Sequence, residues 1–276
     1  MQAVKSYGVS VRRTLDAEEP SRIAEEVRYR GYAVAEGALK SAAVLELCDL
    51  LDSVYQTQCV EVGGEEILHE LHDADIVRCP LAYENKFLDL ARHPLIVEAA
   101  SRLLGQNVVL LMQNGIINRP DRSQAQSSWH RDLNYQHWVA SKPLAIGALV
   151  CLEDFREITG ATKFLPGSHK FEEFPAAELV EKFEVSIDAP KGSILFFDAM
   201  TFHRAGVNTS DRIRRAVNHV IGVPILCQQI DIPSMLRDAP PEDPWLAGYL
   251  GFRWNPAESV RRWRLSKRSP NDAKLT

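Results

Sequence analysis

The periodicity of apolar residues changes once along this 276-residue chain, near Gly105, and that change restricts the fold more than any other feature. From about Glu18 to Gly105 the spacing is mostly helical. SRIAEEVRYRG ends on Gly31, LKSAAVLELCDLLDSVY repeats apolar residues three and four apart, and FLDLARHPLIVEAASRLLG closes on Gly105. A glycine just past the last periodic residue is where a helix stops, because it adopts the left-handed conformation without strain. Between the first two helical stretches, YAVAEG alternates like a strand. After Gly105 come short β-rich runs: VVLLMQNGII, PLAIGALVCL, KFLPGS, FEVSIDAP, GSILFFDAM and RRAVNHVIGVPIL, with turn residues between most of them.

Strands this short and this regularly spaced predict a jelly roll or barrel. The expected fold is mainly β with a helical N-terminal third. No Gly/Ser-rich or Pro-rich linker divides the chain. A single domain is therefore expected, with helix-rich support over about 1–105, a jelly-roll core over about 106–230 and a C-terminal appendage over 231–276.

Composition removes several partners. Lys and Arg total 32 against 37 Asp and Glu, a net charge of −5, so no global positive field exists to hold a phosphate backbone. Nucleic acid is not an expected partner. A basic tail, Arg253, Arg261, Arg262, Arg264, Lys267 and Arg268, reads as a solvated helix or as an anion-binding patch. The longest apolar stretch, Leu144 to Leu152, is far short of the ~20 residues that cross a bilayer, so no membrane is expected. Five scattered cysteines without a CxxC pair suggest reduced thiols and a cytoplasmic chain.

The chemistry concentrates in SSWHRDLNYQHW. His130 and Asp132 are one residue apart, so in extended backbone both side chains point to one face. An imidazole and a carboxylate can then share a metal, and a 2-His-1-carboxylate facial triad needs one further ligand. GSILFFDAMTFHRAGVNTSDRIRR offers His203, followed by the basic run Arg212, Arg214 and Arg215.

WHRD, then ITGATKFLPGSHK, then FHRAGVNTSDRIRR, in that order, resemble the phytanoyl-CoA dioxygenase-like branch of the Fe(II)/2-oxoglutarate-dependent oxygenases, from about Gly31 to Ile225. The resemblance implies a cupin-like double-stranded β-helix (jelly roll) and an enzyme that binds Fe(II) through His130, Asp132 and His203 and uses 2-oxoglutarate and O2 as co-substrates. It makes Arg214, eleven residues after His203, the partner of the distal 2-oxoglutarate carboxylate, a role suited to a guanidinium that keeps its proton. Arg212 shares a face with Arg214 if the strand alternates and is the nearer rival; Arg215 points away. Thr162 and Gln113 match co-substrate positions, and read equally well as a β-branched strand residue and an ordinary strand amide. Ala205 stands where some members carry a hydroxyl that helps hold 2-oxoglutarate.

A carboxylate at Asp132, where halogenating relatives carry a small residue, favours oxygen insertion or desaturation over chlorination. The implied reaction is hydroxylation of an unactivated carbon of a small molecule, releasing succinate and CO2. The alternatives are desaturation, epimerisation or ring formation on the same scaffold, or a catalytically silent metal-binding sensor. Asn134, Tyr135 and Trp138 are candidates to line the substrate cavity or to fill core space. His69 and His72 lack the spacing of a zinc peptidase. The expected partner is a small-molecule substrate, met by a monomer or homodimer.

Overall fold

The computed structural model describes residues 18–120, 122, 125–133, 136, 138–254 and 256–267. Among the described residues nine strands form two antiparallel sheets: β1 (Tyr32–Ala35), β2 (Ile76–Arg78), β3 (Val109–Asn118), β4 (Ala145–Cys151), β5 (Lys163–Phe164), β6 (Val185–Ser186), β7 (Ile194–Asp198), β8 (His203–Arg204) and β9 (Arg214–Gly222). The larger sheet runs β1-β7-β4-β9-β3-β2 and the smaller β6-β5-β8. Each neighbouring pair is antiparallel.

The expected β-rich fold with helices at the N-terminal end is what the chain adopts. Helices α1 (Glu19–Arg30), α2 (Ser41–Val62), α3 (Glu65–Glu70), α4 (Asn85–Ala91) and α5 (Pro94–Leu104) precede or interleave the first three strands. Helix α1 ends on Gly31 at φ +86°, where a Cβ would lie 2.6 Å from Thr201 Oγ1. Glycine is thus required there twice over, by the left-handed turn and by the close approach. The run that reads as one helix before Gly105 is two, α4 and α5, because Pro94 lacks an amide donor and opens a new helix behind His93, whose Nδ1 accepts from Leu95 N at 3.3 Å.

Alternation along β9 divides the core. Val217 and Ile221 join Ile146, Val150, Phe196 and the helical apolar faces of Ile23, Leu51, Phe87 and Ile96. Ala216, on the opposite face, packs with Tyr32, Phe155, Phe164 and Phe197 inside the jelly roll. Burial on both faces explains why β4 reads as a continuous apolar run. Fully burying one such Phe or Ile contributes roughly 1.5–3 kcal/mol, so the helical layer and the jelly roll hold the same sheet from its two sides.

Strand β3 carries an irregularity, a register shift between Leu110 and Met112 against β9. One extra residue reverses the facing of everything beyond it. Val109 and Leu111 face one way before the shift; after it Ile116 faces the jelly-roll interior and Ile117 the helices.

Short helices α6 (Ala177–Phe183), α7 (Ile232–Met235), α8 (Pro244–Tyr249) and α9 (Val260–Leu265) complete the described chain. Tyr249 of α8 is buried and donates its hydroxyl to Ala91 O at 2.9 Å, which ties the C-terminal segment to the helical layer. The basic α9 has no buried residue and pairs Arg262 with Glu258 at 3.0 Å. No helix among the described residues is long and apolar enough to cross a membrane.

Candidate metal centre

Two chain segments meet beside the end of β7. His130 and His203 form a mutual backbone bridge, each N–H donating to the other's carbonyl at 3.0 Å, and Asp132 N donates to Ala199 O at 3.0 Å. The bridge places His130, Asp132 and His203 together, with one ligand atom from each lying within 4.8 Å of the others. His203 Nε2 is 3.5 Å from Asp132 Oδ1.

The two imidazoles are oriented by the same device. His130 Nδ1 faces Ser128 O at 2.8 Å and His203 Nδ1 faces Thr201 O at 2.9 Å. Each Nδ1 therefore carries the proton that a carbonyl can accept, and each Nε2 presents a lone pair to a shared centre. Phe197 and Phe164 hold the His203 ring at centroid distances of 4.7 and 5.7 Å. Asn218 Nδ2 donates to Asp132 Oδ2 at 3.4 Å, leaving Oδ1 turned toward the histidines.

Burial opposes charge at Asp132, but the charge and hydrogen bond of His203, then His130 and Asn218, outweigh it and hold the carboxyl below its ordinary range. At His203 burial opposes protonation and the Asp132 contact overcomes it, raising the imidazole. His130 is pushed down, by burial first and then by His203. The cluster thus offers one anionic oxygen and two imidazole nitrogens, a donor set that suits a divalent first-row metal and leaves coordination positions open. A cavity of about 240 Å³ adjoins it, lined also by Arg78, Met112, Asn114, Gln126, Asn218 and Gln229.

A family model described as phytanoyl-CoA dioxygenase (PhyH) matches residues 27–216. The chain belongs to the phytanoyl-CoA dioxygenase family. It is 29% identical over 216 residues to the uncharacterized protein Rv1501 of Mycobacterium tuberculosis, a match covering 76% of this chain and 77% of that one. Among solved structures it is similar to the non-heme monooxygenase ThoJ in its apo form, at 22% identity and TM-score 0.61, covering 73% of this chain and 77% of that one. It is also similar to the epimerase SnoN in complex with Fe3+, alpha ketoglutarate and nogalamycin RO, at 22% identity and TM-score 0.54, covering 74% and 84%.

Within this family member the three arginines near the start of β9 have separate fates. Arg215 faces the helices and pairs with Asp52 at 2.7 Å and Glu153 at 2.8 Å. Arg212 is exposed beside Asp211. Arg214 is enclosed in the jelly roll, its guanidinium 4.4 Å above the Phe155 ring, with Nε lacking any hydrogen-bond partner. Burial pushes its pKa down to about 10, Cys151 and Glu153 opposing only in part. A buried cation without a carboxylate costs free energy unless an anion joins it. Arg214 and Asn218 share a face of β9, four residues or about 13 Å apart. That is the combined reach of an arginine side chain and a five-carbon diacid, so the orphaned Nε and the donor cluster fit 2-oxoglutarate and a metal between them.

Gln113 is not brought to this cavity. Its Oε1 accepts from Leu81 N at 2.9 Å and its Nε2 donates to Phe87 O at 2.8 Å and lies 2.9 Å from His219 Nε2. The β3 irregularity gives the cavity Met112 and Asn114 and turns Gln113 to the helices. Thr162 is buried two residues before Phe164, Trp138 lines a neighbouring chamber, and Asn134 and Tyr135 lie outside the described residues.

Four contributors escape a reading of the sequence. Asn218, Met112 and Gln229 border the cavity, and Arg131 supports it. The alternation that pairs His130 with Asp132 sends Arg131 the other way, where it donates to Met200 O at 2.9 Å, to Glu172 O at 3.0 Å and to Phe171 O. That clamps the PGSHK loop, in which His169 Nε2 faces Arg28 O at 3.1 Å. The ITGAT loop is held by Gly160 at φ +74°, where a Cβ would meet Gly206 O at 2.5 Å.

Proposed function

We propose that this chain is a non-haem iron, 2-oxoglutarate-dependent dioxygenase that hydroxylates an unactivated carbon of a small molecule, with release of succinate and CO2. The observation that carries the proposal is the enclosed, unpaired Arg214 on the strand face that also bears Asn218 beside the His–Asp–His cluster. An anion-hungry guanidinium and a metal-ready donor set within reach of one diacid answer the two ends of 2-oxoglutarate. When bound, iron, 2-oxoglutarate and O2 supply an oxidant able to break a strong C–H bond. His130 and His203 would hold the metal through Nε2 and Asp132 through Oδ1, while Asn218 keeps the second carboxylate oxygen occupied. Arg214 would fix the distal carboxylate, with Thr162 as a neighbouring polar group.

The chain's remaining task is to place the target carbon and exclude water. The solved epimerase with a similar fold supports a second outcome on this site, desaturation, epimerisation or ring formation, and product analysis separates it from hydroxylation. The continuous sheet packed on both sides supports a single domain, and five free cysteines support a cytoplasmic setting.

Anaerobic addition of Fe(II) and 2-oxoglutarate tests the assignment. A visible charge-transfer band is expected, and no band from the wild-type chain overturns the cofactor reading. Asp132→Ala should lose the band and all succinate release; full activity in that variant removes Asp132 from the ligand set. Substrate-dependent succinate release distinguishes an enzyme from a silent sensor.

A further inference from the structure

The metal cavity opens on a larger chamber, and the wall of that chamber specifies what it can hold. The two share Met112, Asp132 and Gln229. The chamber measures about 510 Å³, within the roughly 300–1,000 Å³ of ordinary small-molecule sites. Its apolar wall is Leu111, Leu133, Trp138, Leu144, Val220 and Leu226, and the polar remainder is mainly neutral amide. Asp132, on the shared edge, is the one charged side chain among the described lining residues. A carboxylate or phosphate moved into such a wall loses its water and meets no cation among the described lining residues.

The cations of the adjoining metal cavity are already committed. Arg131 spends its donors on the carbonyls of Met200, Ser168, Phe171 and Glu172. Arg78 pairs with Asp73 through Nε and Nη2. Its Nη1 donates to Gln229 Oε1 at 3.5 Å.

Gln229 stands at the junction of the two spaces. Its backbone N donates to Leu111 O at 3.0 Å, and its Oε1 accepts from Asn114 Nδ2 at 3.4 Å and from Arg78 Nη1 at 3.5 Å. With the oxygen turned to Arg78, the donor Nε2 is the free end of the amide, and no partner engages it among the described residues. An unused donor between an apolar chamber and a metal centre is placed to meet an oxygen of the molecule that spans them.

We propose that the chamber binds an uncharged, predominantly apolar molecule, and that Gln229 Nε2 donates to a carbonyl or hydroxyl oxygen on it. The role of that molecule as the oxidised substrate rests on the oxygenase reading; its binding does not. The family takes its name from a coenzyme A thioester, a polyanion, and this chamber's wall is built for the opposite class.

Equilibrium dialysis of the full chain, with and without anaerobic Fe(II) and 2-oxoglutarate, tests the proposal. The probes are progesterone as a neutral ketone, pregnane as its oxygen-free skeleton, cholate as an anionic steroid, and palmitoyl-CoA. Progesterone should bind saturably and at least about tenfold more tightly than cholate or palmitoyl-CoA, the desolvation of an unpaired charge being the difference. Leu226→Arg and Trp138→Ala should each weaken progesterone while the visible band stays unchanged. Gln229→Leu should weaken progesterone by about five- to tenfold, the loss of one hydrogen bond, and leave pregnane unaffected. Equal or tighter binding of cholate or palmitoyl-CoA, no saturable progesterone binding, or equal weakening of both neutral steroids by Gln229→Leu overturns it. Loss of the visible band with these binding results intact overturns the oxygenase reading alone.

Discussion

Arg214→Met separates the cost of an unpaired guanidinium from its use. The side chain is enclosed and its Nε has no partner, and burial pushes its pKa from the ordinary guanidinium range down to about 10. At about 1.4 kcal/mol per unit, holding the charge there costs roughly 3 kcal/mol. Because the folded pKa is depressed, the cost is present at neutral pH and is relieved only as pH climbs beyond about 10. Methionine keeps the length and the apolar contacts but gives up the cation–π contact with Phe155, worth about 0.5–2 kcal/mol. The difference leaves the variant about 1–2 kcal/mol more stable, a rise of about 2–8 °C in Tm for a chain of this size. The co-substrate should reverse the ranking. At a hundredfold excess over Kd, 2-oxoglutarate with the metal stabilises the wild type by about 2.7 kcal/mol, whereas the variant should gain almost nothing. Differential scanning fluorimetry with and without 2-oxoglutarate reads both effects. A variant that melts below the wild type without co-substrate, or that gains the same shift with it, refutes the reasoning.

Other positions give sharper single readouts. Gln113→Met should leave the KM for 2-oxoglutarate within about twofold, yet lower stability by about 1–3 kcal/mol because Leu81 N, Phe87 O and His219 lose their partner; a large rise in KM would return Gln113 to the cavity. His219 is held neutral by burial, its pKa down to about 4. Its contribution is complete above the ordinary 6.5 and is lost as pH falls through about 4, so His219→Gln should flatten urea stability across that window; an unchanged slope counts against it. Asp198 has the opposite sign, raised to about 6 by burial, so its contribution is present below 3.8 and lost as pH rises through 6. Asp198→Asn should therefore stabilise the chain at pH 7 to 8 by about 1–3 kcal/mol, measured by the same unfolding series, and a destabilised variant refutes the reading. Gly160→Ala should cost about 2–3 kcal/mol in thermal unfolding, since a left-handed φ and a carbonyl at van der Waals overlap both oppose a Cβ; a neutral result would mean that the loop can shift.

The pairing of two of the proposed metal ligands was legible because extended backbone repeats every two residues, which makes His130 and Asp132 neighbours without any tertiary knowledge. The same rule fails at Gln113. The phase of β3 depends on one extra residue near Leu111, and only pairing with β9 shows that phase. Arg214 could be separated from Arg215 by alternation, but not from Arg212, whose exposure follows from the turn that Asn208 ties through Asn118 O at 2.9 Å and Arg212 O at 2.7 Å. The third helical stretch was split by Pro94, a signal present in the sequence and outweighed by the apolar spacing around it. Gln229 follows no pattern; its place comes from a chain return after β9, which long-range packing decides.

The mutual backbone bridge between His130 and His203 has a consequence for how the centre is loaded. Two proposed ligands 73 positions apart are joined by peptide hydrogen bonds, and their rings are aimed by carbonyls two residues upstream, so none of this scaffolding is supplied by an ion. Chelation of a loaded centre should then empty it without dissolving it. One divalent ion should be exchangeable for another in the folded chain, and spectroscopically informative substitutes for iron should enter without a refolding step.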